Sequence, residues 1–257
     1  MKTFKLLALT AMLVVGTTAS AQFTNSSKAS STANTDGWST FYVQWNPSNV
    51  SPDKGDSESF TGFSVGVNKA FSVSKSIPLF VEVGVGLQYS FKNKDMADEL
   101  ADIYDMDEDD ITEICDPKEK FNMFSAKVPV SLVYNWQLPN SNISIAPFAG
   151  ITLRYNFSGK DKMEFNWDSE FEEYMRDEYG NKEFEELFGD QEKDLFDKDD
   201  MGSSDATWKR FQIGWQIGVS ARFNNHFLVG VSYGSDFSEI FKKAKINTTS
   251  ITLGYCF

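Results

Sequence analysis

The chain has 257 residues and a formal net charge of -13, room for one large or two small domains and too acidic a balance for a nucleic-acid partner. No apolar run of roughly 18 or more residues follows the N-terminal region, which excludes a transmembrane helix. Two cysteines are too few for a disulfide framework, and the 15% aromatic content, with 23 Phe, is high for a soluble acidic protein.

In chain order, Lys2 and Lys5 precede an apolar run from Leu6 to Val15, and Ala19-Ser20-Ala21 stands before Gln22. A basic start, a short apolar core and an A-x-A site predict a secretory signal peptide over residues 1–21, cleaved at Ala21-Gln22. The run is too short to span a membrane and no lipobox cysteine follows it. Cleavage leaves a net charge of about -15. Residues 22–37 are rich in Ser, Thr and Asn and hold too little apolar surface to offset ordering entropy, so a flexible leader is expected.

From residue 38 the period becomes two. Trp38 to Trp45 places Phe41, Val43 and Trp45 on one face, and Phe60 to Phe71 alternates Phe63, Val65 and Val67 with glycine, serine and asparagine. Leu79 to Phe91 puts Val81, Val83, Val85, Leu87 and Tyr89 opposite Glu82, Gly84, Gly86 and Gln88. Strands are likewise expected over Phe121–Trp136, Ile143–Phe157, Trp208–Phe223 and His226–Phe237. The last segment, Ile246 to Phe257, carries Ile251, Leu253, Tyr255 and Phe257 on one face. The eight segments share one character: bulk on one face, and Gly, Ser, Thr, Gln and a few charges on the other. A soluble sandwich, the competing architecture, would carry charged residues on its outer face. A glycine-rich polar face suits a cramped interior instead, and each segment is long enough for the roughly 9–11 residues of a tilted membrane strand. The connections alternate long and short, with 46–59, 92–120, 158–207 and 238–244 against 72–76, 138–142 and 224–225.

Of the 37 acidic residues, 12 fall in 92–120 and 18 in 158–207. Ser169-x-x-Glu172 reads as a capping box, Phe171, Tyr174, Met175 and Tyr179 recur at helical spacing, and Gly180 ends the run. Phe184, Leu187 and Phe188 repeat the pattern, as do Met96, Leu100, Ile103 and Tyr104. These loops read either as a small acidic cap packed on the barrel or as a docking surface for a basic partner or cations. Asp105, Asp107, Asp109, Glu113 and Asp116 have the carboxylate spacing of a calcium loop. They lack its glycine, replaced by Asp110, and its final bidentate Glu, replaced by Asp116, so only loose divalent-cation binding is expected, and no other cofactor. Glu82, Lys127, Arg154, Arg210, Arg222 and Asp236 fall on the inward face, as a buried ion-pair network or as the lining of a narrow conduit. His226, the only histidine, adjoins the Asn224-Asn225 turn. Cys115 and Cys256 lie at opposite ends of the expected span and are not expected to pair.

Alternating strands, alternating loop lengths and a terminal strand closing on Phe257 together resemble the small eight-stranded outer-membrane β-barrels. These are the OmpX-like, OmpA-barrel-like and PorT-like proteins often described as the porin family. The resemblance, over residues 38–257, implies an all-β fold: an eight-stranded antiparallel up-and-down transmembrane β-barrel with long, partly helical extracellular loops. It implies a cell outer-membrane location in a Gram-negative envelope, with both chain ends in the periplasm. It also implies outer-membrane lipid as surroundings, and recognition of Ile251, Leu253, Tyr255 and Phe257 by the barrel-assembly machinery. The implied role is non-enzymatic, surface or structural, with the acidic loops contacting a protein partner or cations. The alternative is a narrow porin-like channel for small solutes or ions. A barrel enzyme would need its histidine at the extracellular rim, where this chain has none.

Overall fold

The computed structural model describes residues 36–52, 57–104 and 107–257, and for residues 103 and 104 the backbone alone. The expected signal peptide, most of the leader and Asp105 lie outside the described residues.

Eleven strands form one antiparallel sheet that closes on itself: β1 (Ser39–Trp45), β2 (Ser48–Pro52), β3 (Glu58–Ser72), β4 (Leu79–Asp95), β5 (Cys115–Tyr134), β6 (Trp136–Gln137), β7 (Ile143–Trp167), β8 (Gln191–Asp194), β9 (Phe211–Phe223), β10 (Phe227–Asp236) and β11 (Ala244–Cys256). Both β1 and β2 pair with β3 on one side and β11 on the other, so together they form the first of eight staves and the point of closure. The residues expected as the first long loop therefore include a strand. The stave is interrupted because Pro47 has no N–H to give the ladder. Asn46 secures the break from inside: its Nδ2 donates to Ser64 Oγ at 2.5 Å, and its Oδ1 accepts from Ser250 Oγ at 2.8 Å.

The polarity of the wall is inverted relative to a soluble fold. Ser64, Gln88, Ser125, Asn156 and Gln212 are buried inside, while Val43, Val65, Val83, Val128, Ile151 and Val231 are exposed outside. Two aromatic belts flank this aliphatic band. Phe71, Tyr134, Trp136, Phe223, Phe227 and Tyr255 lie toward the short turns, and Phe63, Tyr89, Phe124, Phe157, Phe211 and Phe237 toward the long loops. Apolar outside, aromatic at two levels and polar within is the pattern that lipid imposes on a barrel. Inside, Tyr42 reaches across the neighbouring strands so closely that a Cβ on Gly66 or Gly86 would meet its hydroxyl.

The strands outrun the expected loop limits. β4 reaches Asp95, β5 starts at Cys115 and β7 continues to Trp167, so the β5–β7 ladder runs from Cys115↔Trp167 to Val133↔Phe148. A bulge beside Phe124/Ser125, opposite Phe157, marks where the wall passes into this extension. Four helices sit on it: α1 (Ala97–Tyr104), α2 (Glu108–Ile114), α3 (Ser169–Tyr179) and α4 (Asn181–Phe188). The cap of α3 is Asp168, whose carboxylate accepts from the N–H groups of Glu170 and Phe171, one residue earlier than the Ser169 box predicts. Gly180 ends that helix at φ 80°, which favours glycine.

Candidate functional sites in the lumen and the loop cap

The long-loop mouth is filled by an apolar plug. Val50, Phe60, Phe121, Met123, Ala244 and Ile246 point inward from the wall, and Leu195 and Ile240 come down from the loops to meet them. Phe121 lies 5.2 Å from the Phe60 ring and 5.5 Å from that of Trp208, which in turn packs 5.8 Å from Phe241. Backbone bonds seat the plug: Trp208 N–H to Leu195 O at 2.8 Å, and Leu195 N–H to Gly159 O at 3.0 Å. The expected acidic loop 158–207 thus contributes Leu195 and the 238–244 connection Ile240, while Trp208, expected to open a strand, lies in the loop before β9 and joins them in closing the barrel. In the sequence Leu195 and Ile240 are apolar residues with no periodicity to mark them.

The short-turn end has its own apolar cluster, Trp38, Ala70, Phe80, Val133, Ala146 and Cys256. Trp38 packs 4.6 Å from Phe80, and the Arg222 guanidinium lies 4.1 Å over the Trp38 ring. Between the two clusters is a polar lumen with a cavity of about 80 Å³ lined by Glu82, Lys127 and Arg222 among others. A second, of about 50 Å³, is lined by Lys127, Arg154 and Asp236. Arg154 Nη2 meets Asp236 Oδ2 at 2.5 Å with both side chains buried, and Glu82 Oε1 accepts from Asn68 Nδ2 at 3.0 Å. Arg210 departs from the expected interior set. It precedes β9 at the rim, donates to Phe157 O at 2.7 Å and lies 4.4 Å over the Phe196 ring, so it ties the loop to the wall.

Above the plug, charges pair across the extended sheet. Lys92 meets Glu119 at 2.7 Å and Glu58 at 3.4 Å, Lys162 meets Asp190 at 2.8 Å, and Lys120 meets Glu164. Its pairing with Lys120 and Lys162 holds the Glu164 carboxyl below the ordinary value. Asp161, facing inward from β7, has its carboxyl raised, first by burial and then by the nearby Glu119. The α3–α4 pair closes over its own small core, in which Phe184 is buried against Trp167 and Phe188. Arg176 braces it, 4.3 Å over the Phe184 ring and 2.7 Å from Glu172 and Glu185.

Among the described residues, the stretch with calcium-loop spacing is helix and strand. Asp107 precedes α2 without a side-chain capping bond, Asp109 and Glu113 ride on α2, and Asp116 is the second residue of β5, paired with Lys118 at 2.5 Å. A helix holds its carboxylates at fixed intervals on its surface and cannot wrap them round one ion. Among the described residues no three of His, Cys, Asp and Glu gather in a metal-holding group. Both cysteines are free: Cys115 is in the cap, where burial pushes its thiol up to about 11, and Cys256 is beside Thr40 at the far end. His226 is also at that end, its ring stacked on Tyr255 with centroids 5.6 Å apart.

A family model described as "Outer membrane protein beta-barrel domain" matches residues 15–242. Among solved structures, Ail, the attachment invasion locus protein of Yersinia pestis in complex with the heparin analogue sucrose octasulfate, is 14% identical. The match covers 86% of this chain and 99% of that one, with a TM-score of 0.43. Neisserial surface protein A is 13% identical over 85% of this chain and 97% of that one, at 0.39. The outer membrane enzyme PagL is 13% identical over 83% and 97%, at 0.40. None of the curated proteins matches the chain.

Proposed function

Since the chain belongs to the outer membrane protein beta-barrel domain family, and is thereby an integral barrel of the outer membrane, we propose that it is a non-enzymatic surface barrel whose folded acidic cap contacts a basic partner outside the cell. The observation that carries this reading is the plug. Leu195, Trp208 and Ile240 belong to the long connections yet pack against Phe121 and Ile246 of the wall, so the cap is built as part of the barrel. An apolar cluster at each end of the lumen favours this role over the alternative, a narrow solute channel.

Short turns face the periplasm in barrels of this kind. The long-loop end then faces outward, and both chain ends lie in the periplasm after removal of residues 1–21. The outward face of β11, with Ile251, Leu253, Tyr255 and Phe257, is what the assembly machinery would meet. The two long connections bear 30 acidic residues against 10 basic ones. Tyr174, Tyr179 and Leu187 are exposed among those acids on α3 and α4, giving a basic partner both charge and apolar contact. Divalent cations would associate loosely with the same carboxylates.

The test is binding of the refolded protein to a lysine-rich polypeptide, with a glutamate-rich one as control, across a salt series. Binding that weakens with salt and disappears when residues 168–190 are replaced by a short linker is expected. Equal binding with and without that segment overturns the reading. Sustained single-channel conductance of the unaltered protein in planar bilayers decides for the channel.

A further inference from the structure

Charge on the outer face above the aromatic belt is matched on one part of the rim and unmatched on another. On β5 and β7 each outward lysine has a carboxylate beside it: Lys118 meets Asp116 at 2.5 Å, Lys162 meets Asp190 at 2.8 Å, Lys120 meets Glu164 and Lys160 meets Glu192. The rim over β9, β10 and β11 is basic. Residues 205–210 and 239–245 set Lys209, Arg210, Lys242, Lys243 and Lys245 against only Asp205 and Glu239. Asp205 is taken by Lys242 at 2.5 Å. Among the described residues no ion pair forms at Lys209 or Lys245, and both are exposed.

The backbone brings these two lysines together at the height of the belt. Ile240 links them: its carbonyl accepts from the Lys209 N–H at 2.6 Å, and its N–H donates to Ala244 O at 2.8 Å. Lys209 and Lys245 thus flank a single intervening segment, two strand spacings or ~10 Å apart, which two lysine side chains span. Ala244 and Ile246 point into the plug, so Lys245 between them points out. It stands between Ala244, the partner of Phe241, and Asn247, the partner of Ser235, which is the height of Phe237. Lys209 comes two residues before Phe211. Phe211 and Phe237 are both exposed in the belt toward the long loops. Lipid headgroups begin where that belt ends.

We propose that this rim holds the phosphate headgroup of an anionic lipid in the leaflet at the long-loop end, with Lys209 and Lys245 as its ammonium partners. Position and charge select the occupant. An anion in solution meets the 30 acidic residues of the two long connections, which repel it. An anion carried by the membrane reaches the rim sideways, along the wall that lipid already covers. Lysine suits it, because the stem lies along apolar surface while the ammonium meets phosphate as a point charge. This placement rests on the membrane wall alone and needs no partner at the cap.

The test titrates the refolded protein in neutral-detergent micelles with phosphatidic acid, and with phosphatidylcholine as control, reading retained lipid by native mass spectrometry. Retention of phosphatidic acid in preference to phosphatidylcholine, undisturbed by inorganic phosphate, is expected. Lys209→Gln and Lys245→Gln should each weaken retention about fivefold, the effect of one basic residue near an anionic surface. Lys160→Gln, whose lysine is already paired with Glu192, should leave it unchanged. Heat-modifiable migration on a gel shows that each variant is folded. Retention by the Lys209→Gln/Lys245→Gln double variant equal to wild type, or the same loss in Lys160→Gln, overturns the proposal. Displacement by inorganic phosphate also overturns it, since the rim would then be a free-phosphate site. Replacing residues 168–190 should leave lipid retention intact while abolishing binding of a basic partner at the cap, so the two readings fail separately.

Discussion

Strand β7 obeys two opposite rules. Over its first fifteen residues Ile151, Leu153, Tyr155 and Phe157 point outward and Thr152, Arg154 and Asn156 inward. Past the bulge, Lys160, Lys162 and Glu164 take the outward positions, while Gly159 packs inward beneath Leu195 and Phe196. Apart from the one-residue bulge the β5–β7 ladder runs on through both halves, so what each face meets is set by what surrounds the strand. Lipid stabilises an apolar exterior and leaves the inside to polar side chains. Water above it restores the ordinary hydrophobic core, and that core becomes the plug. The bulge lies where one medium gives way to the other.

The sharpest way to break this comparison is at the junction. Phe121 is buried in the plug between Phe60 and Trp208. Phe121→Ala should destabilise the cap by about 3–5 kcal/mol through lost burial and a cavity. Protease sensitivity of residues 168–207 in the folded barrel would show it, and protection equal to wild type would mean that the plug does not hold the cap. Next comes Ile151→Arg on the lower half of β7, expected to cost about 2–4 kcal/mol near the bilayer midplane. Denaturant unfolding in lipid vesicles measures it. Lys162→Leu, outward on the same strand above the bulge, is the control that should leave the wall intact.

Asp161 sharpens the comparison by pH. Its carboxyl is raised by burial, so ionisation at neutral pH works against the folded cap, and protonation removes that penalty. This contribution becomes more favourable as pH falls from the raised value toward the ordinary carboxylate range. Asp161→Asn should therefore stabilise the cap modestly at neutral pH and flatten that part of its pH profile, as proteolysis rates across a pH series would record. The smallest effect belongs to the outward ion pairs. Lys120→Ala removes one partner of Glu164 and should cost about 0–1 kcal/mol, less at high salt. A larger loss would mean that the ladder is shielded from water.

Residue-by-residue alternation fixed the wall. Side chains two apart on a strand share a face, so Val83, Val85 and Leu87 had to go one way and Gly84, Gly86 and Gln88 the other, and a single register then aligns eight such segments. Helices over Ser169–Tyr179 and Asn181–Phe188 were legible because spacing and Gly180 are local signals. The interruption at Pro47, the reach of β5 and β7 above the membrane and the departure of Arg210 from the lumen were not. Each depends on a partner distant in sequence: β11 for β2, Glu164 for Lys120, Phe196 for Arg210. The plug shows the limit most clearly. Leu195 and Ile240 have no periodic neighbours, Trp208 falls in a segment expected as strand, and nothing local says that the three meet Phe121 and Ile246. Only closure of the barrel creates the mouth that they fill, because burial is a property of the assembled ring, whereas the face a side chain takes is a property of the strand.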